Sequence, residues 1–426
     1  MRTASVLILA SLVGIAAPRA AHAGGIKSSH GGFASFAHRA SLYLHNGSIP
    51  AWARRYNVNC SHCHTPAVPR LNADGMRFKW AGYRMAEDIE SKDKVDVGKV
   101  QNYLAVGARM QYDWEKTRGA PTSTSGFSLP SVGVFYAGPF GRNLSGFLEL
   151  EHGPENEIER VAHVSVLWGT QRRYGGFRFG QMHYLAEWGV AGFDRPIGIS
   201  APLAIAGPIT NGVPFTLGEH QLGAEAFYVA GANRLSAMVL NGVNALGMGA
   251  VSDADTRKDL VLTDQVLIDN AGSGIQAAAY YGTIVGLDTA SALLNTHFWR
   301  LGITANKIFN RFEVLGALIY GKDTSLPFGG TSPFPTATDK GLGYWLSGQY
   351  TLANGTEPGL TLFGRYEHVN PNTAEANLAN RRLVAGAVLP ISLPQYLRWA
   401  LEYRRDFPQG GRPKTNAIST QLWLNF

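Results

Sequence analysis

The stretch Ile418-Ser419-Thr420-Gln421-Leu422-Trp423-Leu424-Asn425-Phe426 alternates between two kinds of side chain. Its even-numbered positions are apolar apart from Thr420, and its odd-numbered positions are polar apart from Trp423. Successive side chains of a β-strand point to opposite faces, so a period of two predicts a strand with one apolar face. The same alternation recurs at 397–404 and at 144–151, which indicates that one pattern organises much of the chain.

Charged residues on the second face of these segments discriminate between β architectures. The candidates on that face are Glu149, Glu151, Arg365, Glu367, Arg398 and Glu402. Charges are costly in the packed core of a soluble β-sandwich, whereas they suit the water-filled lumen of a barrel whose other face contacts lipid. About sixteen such segments follow residue 100, and bacterial barrels have an even strand number. We therefore predict a mostly β protein in which residues 96–426 form an antiparallel transmembrane β-barrel of about 16 strands.

The connections between these segments alternate in length. Short turns are predicted at 138–141, 171–174, 230–233, 308–310 and 392–394, and longer links at 116–127, 185–215, 241–255, 323–338 and 370–379. In outer-membrane barrels the short turns face the periplasm, so we expect both ends of the barrel sequence on that side. The longest link, 185–215, has two placements open to it: inside the lumen or over the outer mouth.

The N-terminus has the pattern of an export signal. Arg2 supplies a positive charge, residues 5–17 form an apolar stretch too short to span a bilayer, and Ala21-His22-Ala23 is a small-residue cleavage pattern. We therefore expect a signal peptide at 1–23. The formal net charge of +7 comes from scattered basic residues, which argues against a nucleic-acid partner.

The second informative stretch is Cys60-Ser61-His62-Cys63-His64, which contains both cysteines of the 426-residue chain. CxxCH is the attachment signature of c-type haem: the two thiols form thioether bonds with the haem vinyl groups, and the histidine is the proximal iron ligand. The alternatives are a disulfide in an oxidising compartment and a structural zinc site. The trailing His64 argues against the first, and the lack of a second ligand pair argues against the second. The sequence therefore predicts one covalent haem c held by Cys60, Cys63 and His64.

The motif lies in a small helical segment, predicted as a monohaem cytochrome unit over 24–95. A short helix is expected over 49–56, and a second over 73–86 with Asn72 as its N-cap. The segment is too small to bury a haem alone. We therefore expect it to plug the periplasmic end of the barrel lumen, where the barrel wall would cover the cofactor.

The sixth iron ligand stays open. Met85 is the first choice and Met76 the second, because a thioether on the distal face would raise the reduction potential. A methionine on a short helix often serves packing alone, and His38 or His45 are the alternatives.

Residues around the motif carry a resemblance to a known family. The matching positions are 49–56, Cys60–His64, 69–72, Gly75, Phe78, Lys79, Gly82 and Tyr83. Over residues 50–85 the chain resembles the fused outer-membrane monohaem cytochrome–porins of the iron-oxidising type, and the remainder matches in architecture. The resemblance implies thioether bonds at Cys60 and Cys63, proximal ligation by His64, and an outer-membrane location. It also implies oxidation of extracellular Fe(II), or another reduced metal, with electrons passed to a periplasmic c-type cytochrome.

Two further functions stay open beside this oxidoreductase. One is a porin whose cytochrome segment has an anchoring or regulatory role, and the other is an outward electron conduit to an extracellular acceptor. No serine lies in a nucleophile-elbow context, so the sequence does not indicate a hydrolase of that type. We interpret the charges on the polar strand faces as pore solvation and cross-strand pairs rather than as an iron site.

Overall fold

The computed structural model describes residues 51–425 with gaps at 68–69, 91–102, 153–157, 183–196, 212, 214, 218–220, 243–255, 288–292, 325–337, 353–358 and 393–396. The predicted signal peptide, His38, His45 and Phe426 lie outside the described residues. The described residues all belong to one compact unit, 48–426. Among them, no helix is both long and apolar enough to cross a membrane.

Across the described residues, sixteen antiparallel strands form a closed barrel in which consecutive strands pair and β1 pairs with β16. The strands are β1 (Leu104–Thr117), β2 (Thr124–Pro139), β3 (Leu144–His152), β4 (Ile158–Thr170), β5 (Arg173–Met182), β6 (Gln221–Ala230), β7 (Asn233–Leu240), β8 (Asp259–Leu267), β9 (Gly274–Leu287), β10 (Leu293–Phe309), β11 (Phe312–Thr324), β12 (Thr338–Leu352), β13 (Leu360–Asn370), β14 (Asn380–Ser392), β15 (Leu397–Asp406) and β16 (Thr415–Asn425). The prediction of a mostly β, 16-stranded antiparallel barrel is confirmed.

The alternation in the sequence is an alternation of burial along the strands. In β8, the side chains of Asp259, Val261 and Thr263 point inward and are buried, whereas Leu260 and Leu262 lie half exposed or more on the outside. Exposed leucines of the same kind occur around the barrel at Leu235, Leu301, Leu318, Leu346, Leu362 and Leu383. An apolar belt of this extent is rare on soluble monomers and normal on membrane barrels. The outer face is therefore suited to contact with lipid.

The connections at one end of the barrel are mostly shorter than those at the other end, as the sequence predicts, although 153–157 and 288–292 are shorter than 268–273 and 353–359. One end, which we call the short-turn end, carries 140–143, 171–172, 231–232, 268–273, 310–311, 353–359 and 393–396. The other, the long-loop end, carries 118–123, 153–157, 183–220, 241–258, 288–292, 325–337, 371–379 and 407–414. The prediction lacks five of these connections: 153–157, 268–273, 288–292, 353–359 and 407–414.

The segment before the barrel is helical. It contains helix α1 (Ala51–Tyr56), a 3₁₀ turn (Cys60–His62), helix α2 (Ala73–Trp80) and a second 3₁₀ turn (Ala86–Ile89). The prediction of a helix over 73–86 is wrong at its C-terminus. Gly82 adopts φ +73° and Tyr83 φ +61°, and the Tyr83 N–H donates to the Phe78 carbonyl at 3.0 Å. This is a Schellman termination, which reverses the chain and ends the helix at Trp80.

This helical segment, residues 51–90, is seated in the short-turn end of the barrel, and we call it the plug. The guanidinium of Arg84 is buried and donates to the carbonyls of Arg142 (2.5 Å) and Leu144 (2.8 Å) at the β2–β3 turn. The Ala73 N–H donates to the Asn270 carbonyl at the β8–β9 turn at 3.4 Å. Apolar residues of the plug and the barrel share one cluster, which includes Met76, Trp80, Ile89, Leu167, Tyr174, Phe227 and Val229. The prediction that a small helical segment plugs the lumen is confirmed.

A second segment enters the lumen from the long-loop end. Of the connection 183–220, the structure describes 197–217 without 212 and 214, and we call this part the lumen loop. It contains helix α3 (Leu203–Ala206). Its Ile209 and Phe215 are fully buried against inward-facing strand residues such as Trp345. Of the two placements left open by the sequence, the described part takes the one inside the lumen.

Lumen carboxylates hold the backbone of this loop. The Ile199 N–H donates to the Glu402 carboxylate at 2.8 Å, and the Leu203 N–H donates to Glu367 at 2.6 Å. Further in, Ile197 of the lumen loop and Ala67 of the plug are buried in one apolar cluster with Phe363 of β13. The two insertions therefore share one apolar cluster inside the barrel.

The lumen differs from the water-filled interior that the sequence predicts. Arg234 and Arg300 are fully buried on inward faces, and each pairs with a carboxylate. Five of the six charges proposed to face water are buried as well: Glu149, Glu151, Arg365, Glu367 and Glu402. Arg398 is half-buried. The strand period correctly predicts which side chains point inward, but protein rather than water surrounds most of them.

Candidate functional site: a cavity beside the Cys60–His64 motif

The motif folds as a tight turn of backbone. The N–H groups of Cys63 and His64 both donate to the Cys60 carbonyl, at 3.1 and 2.9 Å. The turn is continued by the N–H of Thr65, which donates to the Arg70 carbonyl at 2.9 Å. Cys60, Cys63 and His64 are all half-buried, and all three line the same cavity. The structure thus brings together the three residues that the sequence predicts as haem ligands and attachment points.

Asn72 ties the motif turn to helix α2. Its Oδ1 accepts from the Gly75 N–H at 2.9 Å, which is the predicted N-cap bond. Its Nδ2 donates to the carbonyls of Ser61 (3.1 Å) and His62 (3.0 Å), and its own N–H donates to the Cys63 carbonyl at 3.0 Å. One side chain therefore orders both the helix start and the turn that carries the thiols.

Gly75 allows the helix to approach the motif closely. A Cβ at this position would overlap the Cys63 carbonyl oxygen and press against the Leu71 side chain. A residue with a side chain would therefore push helix α2 away from the turn. The close approach makes glycine the residue that this packing requires.

The cavity beside the motif is apolar and has one open side. Its empty volume, including the open mouth, is about 760 Å³. Aromatic residues form much of its wall, through Trp52 and Tyr56 on one helix and Phe78 and Tyr83 on the other side. Phe78 meets the Trp52 ring edge-on at 5.6 Å and the Tyr56 ring at 5.7 Å. These rings give the cavity an apolar wall, and the Trp52 side chain is itself 37% exposed.

Met85 also lines the cavity, and the structure separates it from the other methionine candidate. Met76 is 1% exposed and packs in the cluster between plug and barrel, not on the cavity wall. The backbone N–H of Met85 donates to the Tyr56 hydroxyl at 3.4 Å, and that hydroxyl donates to the Asp88 carboxylate at 2.7 Å. Burial and the neighbouring Asp88 carboxylate raise the pKa of Tyr56, so its hydroxyl stays protonated and keeps this donor role.

Burial also sets the state of the Cys63 thiol. Burial, together with the nearby Asp74 and Cys60, raises the pKa of the Cys63 thiol to about 11. The Cys63 side chain is therefore a neutral thiol near neutral pH, which suits an apolar wall.

The donor set fits a c-type haem. Two thiols at CxxC spacing, the following imidazole and a thioether surround one apolar, aromatic-walled cavity, and these are the groups through which proteins attach and ligate haem c. Among the described residues, no group of three or more His, Cys, Asp and Glu side chains is arranged to hold a metal ion by itself.

Two buried arginines are site-supporting residues that the sequence analysis does not identify. Arg70 follows the motif and pairs with Glu313 of β11, with Nη2 at 2.5 Å from Oε1. Arg84 precedes Met85 and anchors it to the β2–β3 turn. No signal in the sequence sets these two apart from the other charged residues of the plug, such as Arg77 and Lys79. The partners of both arginines lie in the barrel, far along the chain, so a local sequence pattern does not reveal them.

No protein-family model matches the chain, and no curated protein matches its sequence. Among solved structures, the chain is similar to OmpF of Salmonella typhi in complex with daunomycin (13% identity, TM-score 0.54, 76% of this chain and 97% of that one). It is also similar to the anion-selective porin from Comamonas acidovorans (12% identity, TM-score 0.52, covering 76% of this chain and 98% of that one). A third similar structure is the outer membrane channel DcaP of Acinetobacter baumannii (12% identity, TM-score 0.52, covering 76% of this chain and 96% of that one). At these identities the likeness establishes the fold: this chain has the 16-stranded barrel fold of outer-membrane porins.

Proposed function

We propose that this protein is an outer-membrane electron-transfer protein, an oxidoreductase that takes electrons from extracellular Fe(II), or another reduced metal, through a covalently bound haem c. The observation that carries the proposal is the cavity lined together by Cys60, Cys63, His64 and Met85. The proposed electron acceptor is a periplasmic c-type cytochrome or another soluble carrier.

The roles of the residues follow from their places around the cavity. A haem bound there supplies an iron centre that gains and loses one electron. Cys60 and Cys63 would hold it by thioether bonds, and His64 would supply its proximal ligand. Met85 is the proposed distal ligand, positioned by the Tyr56 hydroxyl. Trp52 and Phe78 form part of the apolar cavity wall.

The proposed location is the bacterial outer membrane, with the plug at the periplasmic end. Three features support it: the porin-like fold, the apolar outer belt, and the plug seated among the short turns. Short turns face the periplasm in barrels of this type. A periplasmic carrier would then reach the plug directly.

A porin with an anchoring or regulatory cytochrome segment is the second candidate, and the likeness to porin structures favours it. The buried lumen argues against an open porin, because protein packs around Arg234, Arg300 and Glu367 where the water of a channel would solvate them. An outward electron conduit would use the same residues as the first proposal with the direction of transfer reversed.

The test begins with the purified full-length protein from cells that attach haem c. We expect haem absorbance to remain with the chain after denaturation. We expect the double variant Cys60→Ala, Cys63→Ala to lose it. Adding Fe(II) to the oxidised protein should then produce the reduced spectrum. An absence of covalent haem, or no reduction by Fe(II) at any pH at which Fe(II) stays soluble, would overturn the proposal. Swelling of liposomes in sugar solutions would instead support the porin.

The distal ligand has its own test with a matched control. Met85→Ala should shift the haem absorbance spectrum and lower the reduction potential, because a thioether ligand raises it. Met76→Ala should leave the spectrum unchanged while it lowers stability through a cavity in the packed cluster. An unchanged spectrum in Met85→Ala would remove Met85 as the ligand.

A further inference from the structure

Four aromatic side chains form a continuous stack from the cavity wall into the barrel. The rings of Trp52 and Tyr83, which both line the cavity, lie 5.7 Å apart between centroids and 15° from parallel. Tyr83 stacks on Phe147 of β3 at 5.5 Å and 26°. Phe147 stacks on His163 of β4 at 5.4 Å and 15°. The stack therefore crosses the joint between plug and barrel without a break.

The direction of the stack follows from the strands that carry its last two members. Phe147 and His163 are direct partners in the β3–β4 pairing, and His163 is buried on an inward face. β4 runs from Ile158 at the long-loop end to Thr170 at the short-turn end, so His163 lies part-way up the wall. The stack thus leads from the plug toward the long-loop end.

We propose that Trp52, Tyr83, Phe147 and His163 form the path by which an electron passes between the lumen wall and a haem held at Cys60–His64; the proposal rests on the proposed function and adds the residues of its path. Electron tunnelling falls off exponentially with distance, and overlapping π systems couple more strongly than aliphatic side chains or gaps. Near-parallel rings with centroids 5.4–5.7 Å apart lie within the range of stacked aromatic pairs. The stack therefore provides continuous electronic coupling across the joint between the plug and the barrel, where the coupling would otherwise be weakest.

The step that the stack serves is a balanced one-electron transfer. One electron leaves an external Fe(II), which becomes Fe(III), and the haem iron gains that electron. The four side chains end as they began, and no proton or bond is exchanged. The stack acts as a medium and not as a set of redox centres.

A stack with a purely structural role would dock the plug and leave electron transfer unaffected. The two roles separate when a ring is replaced by an aliphatic side chain of similar bulk. Phe147→Leu and His163→Leu each remove one ring, and Phe147→Tyr keeps it. Phe177→Leu is the matched control, because Phe177 lies half exposed on the outer face of β5 and contacts the Trp168 ring at 5.5 Å between centroids, tilted by 50°.

The experiment uses the full-length, haem-loaded protein in detergent, labelled with a ruthenium photosensitiser at Ser123→Cys, which lies in the connection 118–123 at the long-loop end. The readouts are the rate constant of flash-triggered electron transfer between label and haem, the haem spectrum, the reduction potential and the melting temperature. We expect the rate constant to fall several-fold in Phe147→Leu and His163→Leu and to stay unchanged in Phe147→Tyr and Phe177→Leu. Spectrum and potential should be unchanged in all four.

Two results would overturn the proposal in different ways. If the haem-loaded variants Phe147→Leu and His163→Leu transfer electrons as fast as the wild type, the path is wrong and the proposed function stands. If the wild-type chain carries no covalent haem, both proposals fall. A rate that follows the melting temperature across the variants would show that the rings act only by docking the plug, which also overturns the path.

Discussion

At the scale of single residues, Asn72 and Gly75 decide how closely helix α2 lies against the motif turn. Asparagine carries an acceptor and two donors on one side chain. Asn72 uses the acceptor for the helix cap and the donors for the carbonyls of Ser61 and His62. Aspartate could cap the helix but could not donate. Gly75 then leaves room for the Cys63 carbonyl.

We predict that Gly75→Ala disrupts the motif. The added methyl group overlaps the Cys63 carbonyl, and overpacking of this kind costs about 1–3 kcal/mol. The expected result is a lower ratio of haem absorbance to protein and a lower melting temperature. Gly126→Ala is the control, since a Cβ at Gly126 meets nothing within 4 Å. Equal haem content in the two variants would contradict the prediction.

Asp269 gives a prediction about pH. Burial opposes the shift, but hydrogen bonds from Lys307 and Ser273 lower the pKa of this carboxyl from 3.8 to about 2. A carboxyl whose pKa is lower in the folded state stabilises the fold when it is charged. This contribution is complete above the unfolded pKa and is lost as the pH falls through the folded pKa.

We therefore expect Asp269→Asn to melt below the wild type near neutral pH and to approach it as the pH falls toward about 2. Melting temperatures of both proteins across this range measure the effect. The effect is small, because the carboxylate is partly exposed and solvent screens its pair with Lys307. A difference that stays constant over the whole pH range would contradict the role of the charge.

At the scale of secondary-structure elements, the predictions from sequence succeed where a pattern is local. The period of two in β16 and β15 directly reports the two faces of a strand, and it assigns inward and outward side chains correctly. The end of helix α2 was misplaced because residues 81–86 continue an apolar and polar mixture that suits a helix. Gly82 is the glycine that commonly ends a helix at the C′ position, and the predicted end at residue 86 passes over it. Nothing in the sequence marks Tyr83 for its positive φ.

The attachment of the plug to β11 gives an element-scale prediction. The side chains of Arg70 and Glu313 are 1% and 5% exposed, and the Glu313 carboxylate also accepts from Asn306 at 2.8 Å. Removing one partner leaves a buried charge without its counter-ion, which costs about 3–5 kcal/mol. We expect Arg70→Ala to lower the melting temperature and to make the plug sensitive to added protease.

Arg77→Ala is the control for this pair. Its ion pair with Asp74 is on the surface, with both side chains more than a third exposed, and pairs of that kind contribute about 0–1 kcal/mol. The double variant Arg70→Met with Glu313→Leu should recover much of the loss, because it removes both buried charges together. Protease resistance in Arg70→Ala equal to that in Arg77→Ala would show that the pair does not hold the plug.

At the scale of the whole molecule, the contents of the barrel could not be predicted from local pattern. Alternation identifies an inward side chain, but it gives no information about what that side chain meets. Glu402 and Glu367 read as pore charges in the sequence, and in the structure they accept backbone N–H groups of the lumen loop. Such contacts join residues about two hundred positions apart, which only the closed barrel brings together.

The candidate site was predictable for the same reason that the strands were. Cys60, Cys63 and His64 lie within five consecutive residues, so the spacing alone indicates the chemistry. Met85 was favoured over Met76 by position, and the structure puts only the former on the cavity wall. The rings of Phe147 and His163 are contributed by strands far along the chain and carry no local signal.

The filled lumen predicts low conductance. In planar bilayers the wild-type protein should show no steps of the size seen with open 16-stranded porins, because the lumen loop and the plug occupy the barrel from both ends. Deleting residues 198–216 should raise the conductance only part of the way to that of an open porin, because the plug still occupies the short-turn end. Porin-like conductance in the wild type would contradict this prediction and would favour the second candidate function.

The seam between β1 and β16 has a consequence for the order of assembly. These two strands are the first and last of the barrel, and they pair from Gly107–Asn425 to Thr117–Thr415. Their pairing encloses the plug, which precedes β1 in the chain, and the lumen loop, which lies between β5 and β6. Attachment of the proposed haem c would need access to both thiols, and Cys60 and Cys63 are half-buried in the seated plug. On the proposed function we therefore expect the haem to be attached before the seam closes, so that its attachment sets the earliest time at which the finished barrel can form.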